Sequence, residues 1–68
     1  MLQTLSAVIF WDDSWFVAEC PETGTVSQGK TVDEAVANLK EATELYLEDF
    51  PINTTRRPLL TTFEANIA

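Results

Sequence analysis

Histidine is absent from this 68-residue chain, and cysteine occurs once, at Cys20. Those two gaps remove most of the chemistry available to a small protein. Without His there is no Ser-His or Cys-His nucleophile pair. One Cys makes no disulfide within the chain, and one Cys with no His does not assemble a zinc set. Glycine stands only at Gly24 and Gly29, so no glycine-rich loop can cradle a phosphate. Four basic residues face eleven acidic ones, a net charge of -7. Nucleic-acid binding rests on neutralising phosphates with Lys and Arg, so this chain is expected to bind neither DNA nor RNA directly. No apolar run approaches the ~20 residues of a membrane span. The apolar start has neither the basic lead nor the cleavage site of a secretory signal. A cytoplasmic setting is expected, and a lone thiol agrees with a reducing compartment.

What is present fits one small domain over residues 1–68. A chain of this size buries only ~60% of the surface its unfolded form exposes. With disulfides and metal set aside, a partner or a second copy is the remaining source of stability. An acidic domain suits a basic protein partner, because complementary fields speed encounter. The same charge also serves plain solubility.

Leu2 to Trp11 reads as a first strand, and Asp12-Asp13-Ser14 as a tight turn. Trp15 to Cys20 returns as a second strand, which makes a hairpin. Pro21 to Gly24 breaks it, and Thr25 to Gln28 is a short third strand. Thr31 stands at a helix N-cap with Glu34 three residues on, the spacing of a capping box. The helix should run from Val32 to Asp49 and stop before Pro51. Val32, Ala35, Val36, Leu39, Ala42, Thr43, Tyr46 and Leu47 share one arc at ~100° per residue. Residues 52–57 read as a loop. Leu59, Thr61, Phe63, Ala65 and Ile67 then alternate with Leu60, Thr62, Glu64 and Asn66, the period of a fourth strand. The expected fold is α+β, in the order β-β-β-α-β, with one helix on one sheet face.

The hairpin is apolar on both sides. Ala7, Ile9, Trp11, Trp15 and Val17 are expected on one face; Val8, Phe10, Phe16, Ala18 and Cys20 on the other. Either face can take the helix, and the second is too apolar to leave in water. Val8, Phe10, Phe16 and Ala18 are therefore candidates for self-association. Trp11 and Trp15, flanking the turn, are expected to pair across the strands. Opposite the apolar arc of the helix lies an acidic stripe. Glu34, Glu41, Glu44 and Glu48, with Leu45 projecting among them, are the candidate partner-binding residues. Arg56 and Arg57, the one basic pair, read as loop solvation or an ion pair. No metal or cofactor is expected. A two-carboxylate metal nuclease is the one enzyme to weigh, but the strands offer only Glu19 and Glu64, and such sites need several converging acids. The chain is expected not to be an enzyme.

The ordered run of these pieces resembles the N-terminal domain of HicB-type antitoxins. The run comprises an apolar strand, an acidic turn, Phe16-Val17-Ala18, the Cys20-Pro21-Glu22 break, and Val26-Ser27-Gln28-Gly29-Lys30-Thr31 leading into Glu34-Ala35. It closes on Glu44-Leu45-Tyr46-Leu47-Glu48 and spans roughly Leu5 to Asp49. The resemblance implies a trimmed ribonuclease-H-like fold without catalytic acids. It also implies an antitoxin that masks a small, basic, RNA-cleaving HicA-type toxin. The alternative within the same resemblance is a stand-alone homo-oligomer without a toxin. Two features depart from the pattern. Thr23-Gly24-Thr25 replaces the usual Leu-Pro-Gly-Cys stretch, and no C-terminal DNA-binding domain is expected, so autoregulation of transcription is not implied.

Overall fold

A computed structural model describes residues 2–52 and 58–68. Three antiparallel strands precede one helix: β1 (Val8–Asp12), β2 (Trp15–Cys20), β3 (Thr25–Gly29) and α1 (Val32–Asp49), with sheet order β1-β2-β3. The fold is α+β, as the residue pattern predicts. The helix bounds agree with the expected ones because both ends are written locally. Thr31 Oγ1 accepts from the Glu34 N–H at 3.0 Å, and Glu34 Oε1 accepts from the Lys30 N–H at 3.3 Å. Phe50 closes the other end by donating its N–H to the Tyr46 carbonyl, and Pro51 cannot continue the helix.

Register corrects the expected faces. Asp12 pairs with Trp15 across the two-residue turn, so Ile9 opposes Ala18 and Trp11 opposes Phe16. Odd positions on β1 therefore share a face with even positions on β2. The inner face carries Ile9, Trp11, Phe16, Ala18 and Cys20; the outer face carries Val8, Phe10, Trp15 and Val17. The expected Trp11–Trp15 pair does not form. Trp11 instead packs on Phe16 at 4.8 Å between ring centres, and Lys30 Nζ lies 5.8 Å from the Trp15 ring. Two-residue turns set register by geometry rather than by side-chain preference, which is why composition alone did not show it. Asp13 supplies the turn with a φ of 56°, a conformation that Asp tolerates better than most residues.

The helix lies on the inner face over β2 and β3. Ala18, Cys20, Ala35 and Leu39 form the buried core, flanked by Leu5, Ala7, Ile9 and Phe16. The core is built of small residues because the layers are close. A Cβ on Gly29 would stand 2.5 Å from the Ala35 backbone nitrogen. Thr43 is buried, and its hydroxyl meets the Thr25 hydroxyl at 2.7 Å, which in turn meets Thr23 at 2.7 Å. The departing Thr23-Gly24-Thr25 stretch thus ties the β2–β3 turn to the helix. Val32, Val36 and Tyr46 from the expected apolar arc stay exposed, because a three-stranded sheet is narrower than the arc.

Two further expectations are corrected. The first strand begins at Val8 rather than Leu2, since β2 ends at Cys20 and leaves the earlier residues no neighbour. No fourth strand forms among the described residues. Leu59, Phe63 and Ile67 are almost wholly exposed. A period-two pattern states what a strand would bury, and the ladder partner must come from elsewhere. The expected loop at 52–57, with Arg56 and Arg57, lies outside the described residues apart from Ile52. Among the described residues no helix is long and apolar enough to cross a membrane.

Candidate interaction surfaces

Glu41 and Glu48 stand on the side of α1 opposite the buried Ala35–Leu39–Thr43 row, exposed and without an ion pair to any described residue. Leu45 is flanked by both at helical spacing, four residues from Glu41 and three from Glu48, and is 65% exposed. An exposed leucine between two unpaired carboxylates is the centre of this surface. The other two expected acids have local work. Glu34 donates its N–H to the Thr31 hydroxyl and accepts the N–H of Lys30, one residue before the N-cap. Glu44 holds Lys40 at 2.9 Å in an exposed i,i+4 pair, worth at most about 1 kcal/mol. Both stay on the rim of the stripe with part of their charge answered.

The four self-association candidates do not share a surface. Phe16 and Ala18 face the helix, and Ala18 is fully buried. Val8 and Phe10 face out with Trp15, Val17 and Val26, the last joined through the Glu19–Val26 pairing. Phe10, Trp15 and Val26 are exposed, so one sheet face is largely apolar and uncovered, with Asp12 at its turn end and Glu19 between Val8 and Val26. Sequence reasoning found this patch but drew its members from both faces, because it had no register.

A third feature was not expected. Ahead of β1, a groove of about 370 Å³ opens between the segment that leads into the strand and one side of α1, lined by Leu2, Leu5, Val36, Leu39 and Leu47, with the Lys40–Glu44 pair among its polar residues. Ser6, one of its lining residues, is tied to Glu22. The Ser6 N–H donates to Glu22 Oε1 at 2.9 Å and the Ser6 hydroxyl to Oε2 at 2.7 Å, while the Cys20 thiol reaches Oε1 at 3.4 Å. Partial burial pushes the Glu22 carboxyl up, but the Ser6 hydrogen bonds outweigh it, and the group sits below its usual value of 4.5. A depressed folded value means that Glu22 stabilises the fold above about pH 4.5, and the contribution is lost as pH falls through the lowered value. Glu22→Gln is therefore expected to flatten the fall in stability on acidification below pH 4.5, read as unfolding midpoints against pH. An unchanged slope would show that the Ser6 clamp does not hold the charged form.

Cys20 is buried, with its thiol on the Glu22 carboxylate. Among the described residues no three His, Cys, Asp or Glu side chains converge as metal ligands would.

With these surfaces placed, comparison with known proteins gives one informative relative. The chain is 50% identical over 46 residues to a UPF0150 protein of Helicobacter pylori, an alignment that covers 66% of this chain and 64% of that protein. It thus spans a little under two thirds of the relative. No family model and no solved structure matches.

Proposed function

We propose that this chain is a non-catalytic, antitoxin-like interaction domain that binds and masks a small basic RNA-cleaving toxin of the HicA type in the cytoplasm. The observation that carries the reading is the Glu41–Leu45–Glu48 surface: exposed, unpaired among the described residues, and turned away from the core. Two other lines support it. The residue run from Leu5 to Asp49 resembles HicB-type antitoxins, and UPF0150 proteins are related to HicB-like antitoxins. Two lysines have partners of opposite or aromatic character, Lys40 on Glu44 and Lys30 over Trp15, which leaves the described surface to negative charge. Retardation of neither duplex DNA nor RNA is expected at moderate salt.

Charge at the rim of an interface acts mainly on encounter rate. Glu41→Lys with Glu48→Lys is expected to slow association with the toxin by about tenfold or more at low salt, with little change in dissociation. The difference should shrink above ~0.1 M salt, where screening acts over ~10 Å. Surface changes of this kind usually cost under ~0.5 kcal/mol in stability, so unfolding midpoints should hold. An on-rate that is unchanged by the double variant and flat with salt would reduce the stripe to a solubility device. The outer sheet face supports a second reading, a homo-oligomer without a toxin, in which Val8, Phe10, Trp15, Val17 and Val26 meet a second copy.

A further inference from the structure

We infer that the open edge of β1, together with the groove along the segment that leads into it, is a strand slot, and that its occupant is the Leu59–Ala68 segment of a second copy of this chain. This does not rest on toxin binding, which is centred on Glu41, Leu45 and Glu48; only Glu44, on the rim of that stripe, also lines the groove. The slot has both parts that strand addition requires. β1 is an edge strand with one side unpaired, and before its first residue, Val8, the chain walls a groove with Leu2 and Leu5 on one side and Val36 and Leu47 on the other. The opposite edge is a poor alternative. β3 lies under the helix, and its Gln28 carbonyl already accepts from Asn38 Nδ2 at 2.9 Å.

The segment has the matching character. As an extended strand, the segment would set Leu59, Thr61, Phe63, Ala65 and Ile67 on one side and Leu60, Thr62, Glu64 and Asn66 on the other, an apolar side for the groove and a mostly polar side for water. It holds one of the chain's eleven acidic residues, Glu64. Pro58 opens the segment with a fixed φ and no N–H to satisfy.

The segment is not seated in its own groove. It makes no backbone hydrogen bond to any other described residue, and Phe63 is 88% exposed. The radius of gyration is 13.4 Å, against about 11 Å for a compact chain of this length. Exchange between two copies fills both grooves and covers both tails. An ordinary interface buries ~800 Å² per partner. Shared equally between tail and groove, that asks about 40 Å² of each tail residue, and Phe63 alone has ~150–250 Å² to bury.

The test uses the full chain at about 100 µM, far above the dissociation constants of biological dimers. Sedimentation equilibrium should give twice the 7.6 kDa of one chain. In a mixture of isotopically labelled and unlabelled protein, filtered nuclear Overhauser contacts should join Phe63 and Ile67 of one copy to Val36 and Leu47 of the other. Thr61→Pro removes a backbone donor from a segment that makes no backbone hydrogen bond to any other described residue. It should return the mass to 7.6 kDa, with the helical circular dichroism unchanged. A wild-type monomer overturns the inference. So do tail-to-groove contacts confined to one chain, and so does a dimer that survives Thr61→Pro, which would point to the outer sheet face instead.

Discussion

Gly29→Ala is expected to be among the most damaging single-methyl additions this domain can receive. The new Cβ would lie 2.5 Å from the Ala35 nitrogen and 2.9 Å from both the carbonyl carbon and the Cβ of Glu34. Two of those three atoms are helix backbone, which cannot swing aside as a flexible side-chain end can. The first turn of α1 must lift off β3. That movement strains the capping box, in which Lys30, Thr31 and Glu34 answer one another, and opens Ala18 and Ala35 to water. Overpacking of a tight contact costs roughly 1–3 kcal/mol and occasionally more. The total stability of a chain this size is about 3–10 kcal/mol, so the loss is a large fraction of it. Urea unfolding followed by tryptophan fluorescence measures it. Gly24→Ala is the control. Gly24 has φ of 79° but open space around its Cβ position, so it pays for backbone conformation alone, about 1–2 kcal/mol. A Gly29 variant as stable as wild type would mean that α1 and β3 do not approach as closely as described.

Leu39→Ala should be the costliest truncation. Leu39 is the one large aliphatic side chain in the buried core, beside Ala18, Cys20 and Ala35. Leu-to-Ala changes in cores cost about 2–5 kcal/mol, depending on how far the site collapses. Here the new space opens into the groove that Leu39 helps to line, so water or a shifted Leu47 can relieve part of it, and the lower half of that range is expected. Val36→Ala separates core from groove. Val36 is 39% exposed and should cost under about 1 kcal/mol in a monomer. If the slot is filled by a second copy, that cost should rise with protein concentration, because the buried contact exists only in the dimer. Equal losses at Leu39 and Val36 in dilute protein would contradict the core as described.

Most of the local architecture was legible in the residues. The helix from Val32 to Asp49 carries its own start and stop, Thr31 and Glu34 at one end and Pro51 after the other, so its bounds need nothing distant. The hairpin was legible for the same reason, from two β-branched and aromatic runs around Asp13-Ser14. The acidic surface followed from helical spacing, which places Glu41, Leu45 and Glu48 together whatever the helix packs against. The members of the apolar sheet face were not legible. Composition marked both sides of the hairpin as apolar, and only the pairing of Asp12 with Trp15 sends Phe16 and Ala18 inward and leaves Val8 and Phe10 outside.

The groove and the C-terminal segment show where local pattern stops. Alternation from Leu59 to Ile67 specifies a strand with one apolar side, and it says nothing about which ladder receives it. Side-chain period is written in the chain itself, whereas a ladder partner is a non-local choice. That choice depends on which edge is open, how wide the sheet is beneath the helix, and whose edge is nearest. The types of the three strands and the helix, the helix ends and the sign of the surface were thus set by the sequence alone, through spacing and charge. The tertiary structure alone decided which face is core, that β1 keeps an open edge beside a groove, and that the last ten residues lie off their own sheet.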